Sequence, residues 1–154
     1  MKLDDYVAVS GMPGLYKLVA NRNNGLIVED LDSGKRKFAA ARKHQFTPLA
    51  SIGIYNDDDT IELVEVFRKI YDQKESNPPI KPNSSADELR DYFTSILPDH
   101  DQDRVHTGDI KKVIKWFGFL NERNLFDWEA YDKEQAESNK EEEKKETEVK
   151  EDKD

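Results

Sequence analysis

Apolar residues in the first 55 positions fall in short runs separated by glycine turns rather than in helical stripes. Tyr6–Ser10, Leu15–Ala20, Leu26–Leu31, Lys35–Ala41 and Ser51–Tyr55 read as five strands. Met12-Pro13-Gly14-Leu15 suits a type II turn, with proline presetting φ and glycine accepting a positive φ. Asn24-Gly25 is a hairpin signal between the second and third runs, and Asp32-Ser33-Gly34 turns the chain into the fourth. Both faces of Leu15–Ala20 are largely apolar, which leaves that strand's orientation open. Five such strands form either a small SH3-like β-barrel or a strongly twisted five-stranded antiparallel sheet covered by later helices.

The period then changes. Asp59-Thr60-Ile61-Glu62 has the spacing of a capping box and predicts a helix with Val64, Phe67, Ile70 and Tyr71 on one face, docked on the strands. Lys74–Ser84 holds three prolines and no period, as a linker does. Ser85-Ala86-Asp87-Glu88 caps a second helix with the stripe Leu89, Tyr92, Phe93, Ile96 and Leu97, stopped by Pro98. A third helix starts with Thr107 as cap and Asp109 in its first turn, and buries Ile110, Val113, Ile114, Phe117 and Leu120. Gly118 either weakens the end of that helix or admits a close neighbour. Leu125, Phe126 and Trp128 fold back as a clasp. The predicted class is α+β: residues 1–73 are the strand unit with its docking helix, 74–84 a linker, 85–128 a small helical domain, and 129–154 an acidic tail, disordered or frayed-helical. Glu141–Lys145 and Glu146–Lys150 pairs within that tail each contribute only about 0.2–0.5 kcal/mol.

Charge refines this division. The net charge of −9 is made of +3 over residues 1–55, −6 over 56–128 and −6 over 129–154. An acidic total argues against DNA as a partner but leaves room for a local basic patch. Residues 129–154 contain only four apolar side chains and supply no core. Cysteine is absent, which removes disulfides and thiolate chemistry. No apolar stretch approaches a membrane span of about 18 residues, so the expected compartment is the cytoplasm.

Candidate chemistry is sparse. Asp99-His100-Asp101-Gln102-Asp103 opens like a calcium loop, but the sixth position holds Arg104 instead of glycine and the twelfth Ile110 instead of glutamate. An interhelical loop with its aspartates on Arg104 is the preferred reading, with no metal and no cofactor; a transition metal on His100, His106 and a carboxylate is the lesser alternative. Ser10-Gly11-Met12-Pro13-Gly14 lacks the Gly-Lys-Ser/Thr ending of a phosphate loop. Lys111, Lys112 and Lys115 invite comparison with a DNA recognition helix, but Pro98–His106 is too long for the turn of such a motif. No serine has a histidine in a recognisable arrangement, so an enzyme is not expected.

The one basic cluster joins Arg22, Lys35, Arg36, Lys37, Arg42 and Lys43, with Tyr16, Phe38 or Phe46 available for stacking. Strand alternation puts Lys35 and Lys37 on one face and Arg36 on the other. Tyr16 and these six cations form the candidate binding patch. The leading reading is a cytoplasmic, non-enzymatic adaptor that contacts a protein partner. The alternative is an RNA- or ribosome-associated protein, and a third reading is a small enzyme without a visible motif.

The chain also resembles a known family. Val9-Ser10-Gly11-Met12-Pro13-Gly14-Leu15-Tyr16-Lys17-Leu18, Ile27-Val28-Glu29 and Ile52-Gly53-Ile54-Tyr55 are similar to a domain of unknown function found in short Bacteroidota proteins. Asp87-Glu88-Leu89-Arg90 through Leu97-Pro98, Asp103-Arg104-Val105 and Asp109-Ile110-Lys111-Lys112 with Trp116 resemble its C-terminal helical companion. The resemblance covers nearly all of residues 3–128, with His106 where relatives are expected to hold tyrosine. It implies architecture and lineage, and it carries no catalytic assignment.

Overall fold

The computed structural model describes residues 3–12, 14–57 and 59–151, with side chains through residue 140. A single helical turn at Leu3–Asp5 leads into β1 (Tyr6–Val9), β2 (Tyr16–Arg22), β3 (Gly25–Asp30), β4 (Arg36–Ala40) and β5 (Phe46–Pro48). These strands form one antiparallel sheet in the order β4-β3-β2-β1-β5. The sheet is open, so the twisted sheet is the architecture adopted and the closed SH3-like barrel is not.

Two strand expectations are corrected. The fifth strand is Phe46–Pro48, whose proline is tolerated because β5 is an edge. The expected strand Ser51–Tyr55 instead supplies β6 (Gly53–Tyr55), which pairs with β7 (Thr60–Glu62) in a separate ribbon. Thr60–Glu62 is therefore a strand, and Asp59 is not the helix cap. The strand's β-branched Thr60 and Ile61 find a partner in β6, while Asn56 Oδ1 accepts the Asp59 N–H at 2.8 Å and closes the turn. The helix begins three residues later than expected, as α1 (Leu63–Gln73), with Glu62 in the cap position and no side-chain cap bond.

Turn chemistry follows the sequence closely elsewhere. Gly14 has φ +75°, as a type II turn requires. The β2–β3 hairpin turns on Asn23-Asn24, and Gly25 is the first residue of β3. Asp30 Oδ1 accepts the N–H groups of Asp32 and Ser33 at 2.8 Å each, and Gly34 completes that turn with φ +71°. Those amide bonds hold the Asp30 carboxyl below its usual range.

The helices bury the stripes expected of them. In α2 (Ala86–Ile96) Leu89, Tyr92, Phe93 and Ile96 are buried, with Leu97 just beyond, and Ser85 Oγ accepts the Glu88 N–H at 3.2 Å. In α3 (Thr107–Glu122) all five expected residues are buried. Its cap residue is His106 rather than Thr107, and the Asp109 carboxylate accepts the His106 N–H at 3.1 Å. Gly118 has open space beside it, so it admits no close neighbour. Asn124, at φ +53°, ends α3, and Leu125 N–H returns to the Leu120 carbonyl. The α1 face is rotated slightly from its expectation: Leu63, Val66, Phe67 and Ile70 are buried, with Val64 and Tyr71 at the margin. The clasp forms, with Phe126 stacked on Phe117 and Trp128 on Phe126.

From Trp128 the chain continues as α4 (Trp128–Glu151). Trp128 and Tyr131 are buried, and residues 132–140 are exposed. The Glu/Lys pairs at 141–145 and 146–150 lie outside the described side chains, and residues 152–154 lie outside the described chain. Among the described residues no helix is long and apolar enough to cross a membrane.

Apolar surface is buried in two places. The main cluster joins Leu3, Leu15 and Leu49 to α1, α2, α3 and the start of α4. A smaller cluster of Val7, Val9, Tyr16, Val28 and Ala39 lies within the curl of the sheet. His100 is the buried polar residue between β6 and the helices. Its Nδ1–H donates to the Leu97 carbonyl at 2.8 Å, Nε2 lies 3.4 Å from Arg90 Nη1, and its ring meets Phe93 edge-on.

Candidate functional site: the open edge of β4

Register and a β-bulge decide where the candidate residues point. Lys17 lies opposite Glu29 and Ala20 opposite Ile27, with a shift between Leu18 and Ala20. The extra residue re-phases β2, so Lys17, Ala20 and Arg22 share one face although their spacing is not a multiple of two. In β4, Arg36 opposes Glu29, Phe38 opposes Ile27 and Ala40 opposes Gly25. Arg22, Arg36 and Phe38 therefore share the outer face, with Tyr16 and Lys37 on the other. Lys35 precedes the strand, and Arg42 and Lys43 sit in the turn that follows it.

The candidate residues differ sharply in availability. Tyr16 is 6% exposed and belongs to the sheet's own core. Lys37 Nζ covers its ring at 5.5 Å, and burial, with Asp30 second, pushes the phenol pKa up. Arg36 Nε pairs with Glu29 Oε1 at 3.3 Å. Arg22 Nη1 donates to the Asn21 carbonyl at 3.1 Å. Lys35, Lys37, Arg42 and Lys43 are exposed and have no carboxylate within ion-pair distance among the described residues. Phe38 is 47% exposed and shares a shallow recess with Asn24 and Arg42. Its ring lies over Gly25, where a β-carbon would come within 2.8 Å of Phe38 Cζ and collide with the Ala39 carbonyl. Gly25 thus lets the ring lie flat along the sheet.

The feature that residue types alone do not reveal is the backbone. Asp30 N–H bonds to the Lys35 carbonyl and Ala41 N–H to the Asn24 carbonyl, both at 2.9 Å. These two bonds fix the alternation of the ladder, so Lys37 and Ala39 face β3 while Arg36, Phe38 and Ala40 direct their N–H and C=O groups outward. The Ala40 carbonyl is taken by Lys43 and His44 N–H at 3.1 Å each. The N–H and C=O of Arg36 and Phe38 and the N–H of Ala40 have no protein partner among the described residues. Counting strands from sequence cannot expose this, because it depends on β4 being an edge.

Comparison with known proteins places the scaffold. Residues 3–49 match the domain of unknown function DUF5606, and residues 52–120 match the domain of unknown function DUF6852. A solution NMR structure of a structural-genomics target from Bacteroides vulgatus is similar at a TM-score of 0.68 with 38% identity, covering 82% of this chain and 90% of that one. The chain belongs to this family. No curated protein matches it. Within the family frame, β1 to β5 form the first matched segment, and β6, β7 and α1 to α3 nearly fill the second. Most of α4 lies beyond both.

Proposed function

We propose that the protein is a non-enzymatic, cytoplasmic binding protein that takes an extended, acidic segment of a protein partner as an added strand along β4. The observation that carries this reading is the backbone of Arg36 and Phe38, unpaired among the described residues and bordered by the exposed cations Lys35, Arg42 and Lys43, with Lys37 on the opposite face over Tyr16. Main-chain bonds to such an edge supply affinity, and side chains on alternate positions supply selectivity. Lysines beside an edge discourage pairing with a second basic strand of the same kind. They favour an acidic one, so the same charges that limit self-association select the partner. Phe38 offers the incoming strand an apolar contact.

A second reading keeps the same cations for RNA, supported by Phe38 beside Arg42, a ring and a guanidinium of the kind that stack on a base. Tyr16 adds nothing to it, being buried.

A photo-crosslinking phenylalanine analogue at position 38 in the native cytoplasm separates these readings. Strand addition predicts a discrete protein adduct that survives nuclease and is lost in Arg36→Pro, which removes an outward N–H and no ladder bond. RNA binding predicts an adduct removed by nuclease. No adduct above background overturns both.

A further inference from the structure

A second concavity lies between β6 and α3, away from the β4 edge. It is a cleft of about 270 Å³ whose helical wall is Asp109, Lys112, Val113 and Trp116, residues spaced to share one face of α3. The opposite wall is β6 itself, and Arg104 closes one end.

The backbone of β6 is half used. Leu63 N–H bonds to the Ile52 carbonyl and Asn56 N–H to the Asp59 carbonyl, so the even-numbered residues face β7. Gly53 and Tyr55 face the other way, toward the cleft. The Tyr55 carbonyl accepts the Asp101 N–H at 2.9 Å, and Asp57 N–H donates to the Asp99 carbonyl at 3.0 Å. The α2–α3 loop thus begins a third strand beside β6 and stops at Tyr55. Beyond that point the N–H and C=O of Gly53 and the N–H of Tyr55 have no protein partner among the described residues.

The side chains provide complementary chemistry. Tyr55 is 43% exposed, and the Arg104 guanidinium lies 4.4 Å above its ring. Asp101 holds Arg104 through Nε at 2.8 Å, which fixes the fork, and neither terminal nitrogen has a partner among the described residues. Lys112 is exposed with no ion-pair partner among the described residues. The lining carboxylate, Asp109, accepts the His106 N–H through Oδ2 at 3.1 Å and keeps one negative charge on the helical wall, beside Lys112 one turn on. Val105 and Val113 are buried beneath, and Trp116 is half-buried. One oriented cation, Arg104, one exposed cation, Lys112, an apolar floor with aromatic walls and strand groups unpaired among the described residues meet in one small concavity.

We infer that this cleft binds a small carboxylate with an apolar or aromatic body and an adjoining amide, the chemistry of an N-acylated amino acid. The carboxylate meets Lys112 and the Arg104 terminal nitrogens, the body rests on Trp116 and Tyr55, and the amide continues the strand pairing at Gly53. The inference is independent of the β4 reading, since it shares no residue with it. The C-terminal end of a peptide presents the same chemistry.

The test is an NMR titration of the isotopically labelled full chain with N-acetyl-phenylalanine, with its carboxamide, and with an acetylated pentapeptide ending in phenylalanine. The expected result is saturable movement of the Gly53 and Tyr55 amides and the Trp116 indole. The carboxamide and the Lys112→Glu variant should each bind at least about tenfold more weakly, while Lys111→Glu, one position round the helix, binds as wild type. Tighter binding of the pentapeptide than of the single residue assigns a peptide end; equal binding assigns a small molecule. No saturable movement at about 10 mM probe, a dissociation constant too weak to matter, overturns the inference, as does equal response to carboxylate and carboxamide.

Discussion

Arg123 and Asp32, 91 positions apart, form a two-pronged ion pair, Nε to Oδ1 at 2.8 Å and Nη2 to Oδ2 at 2.9 Å. It ties the end of α3 to the β3–β4 turn. The same guanidinium covers Phe119 at 3.6 Å and donates from Nη1 to the Phe119 carbonyl at 3.0 Å, so one side chain is fixed on three sides.

Acid should loosen this tie. The Arg123 hydrogen bond, then its charge, holds the Asp32 carboxyl below the usual carboxylate range. A group with a depressed folded-state pKa stabilises above its unfolded value and loses that contribution as pH falls through the folded value. Wild-type stability should therefore drop below about pH 4, and Asp32→Asn should flatten that part of the profile. Urea midpoints measured from pH 6 to pH 2 check this. An unchanged acid slope in Asp32→Asn would remove the pair from the account.

Gly14 carries a second constraint at the same junction. Its φ is +75°, and a β-carbon there would lie 2.5 Å from Phe119 Cε2. Gly14→Ala should destabilise the fold by about 2–4 kcal/mol, combining left-handed strain with overpacking. In a Phe119→Ala background the cost of the same change should fall to about 1–2 kcal/mol, since only the backbone strain remains. A double-mutant cycle by denaturant titration measures the difference.

Tyr92 is a site where removing an atom should help. Its hydroxyl is buried with no hydrogen-bond partner among the described residues, and burial pushes its pKa up to about 12. Tyr92→Phe should be neutral or stabilising by up to about 1 kcal/mol, because an unsatisfied polar group is removed without leaving a cavity. The sign of the alkaline effect follows from the raised pKa. The neutral phenol is favoured in the fold, so wild-type stability should decline between pH 10 and pH 12 and decline less in Tyr92→Phe. Thermal melts across that range test both points.

The first turn of α4 belongs to the core, and residues 132–140 do not. Trp128 stacks on Phe126 at 4.9 Å, meets Tyr71 at 5.5 Å and takes the Arg68 guanidinium at 5.2 Å. Replacing the exposed Lys133, Glu134, Glu137 and Lys140 with alanine should leave the melting temperature nearly unchanged. Trp128→Ala should cost about 3 kcal/mol or more, as loss of a large buried aromatic does. Equal effects from the two changes would contradict this division.

The contrast between what could and could not be read from the chain has physical causes. The stripes of α2 and α3 were legible because a helix samples the same face every three or four residues, leaving little choice of orientation. The ribbon was misread because Asp59 and Glu62 have cap-box spacing whether or not helix follows. Only the pairing of Ile61 with Ile54 decides it, and that contact is not local in pattern. At the candidate site, alternation correctly separated Lys37 from Arg36. The burial of Tyr16 was not legible, because both faces of its strand are apolar and the bulge that sets its phase leaves no composition signal. The unpaired edge of β4 was beyond reach altogether, since it is a property of strand order.

Leu49 is fully buried in the main cluster, yet it is the last residue of the first family segment, and the second begins at Ile52. Each segment on its own would leave bare the apolar surface that the other covers. Chain cleavage at the exposed Ala50–Ser51 link should therefore yield fragments that stay associated and that neither dissolve nor fold when made separately. Parting the two segments should therefore cost each of them its fold.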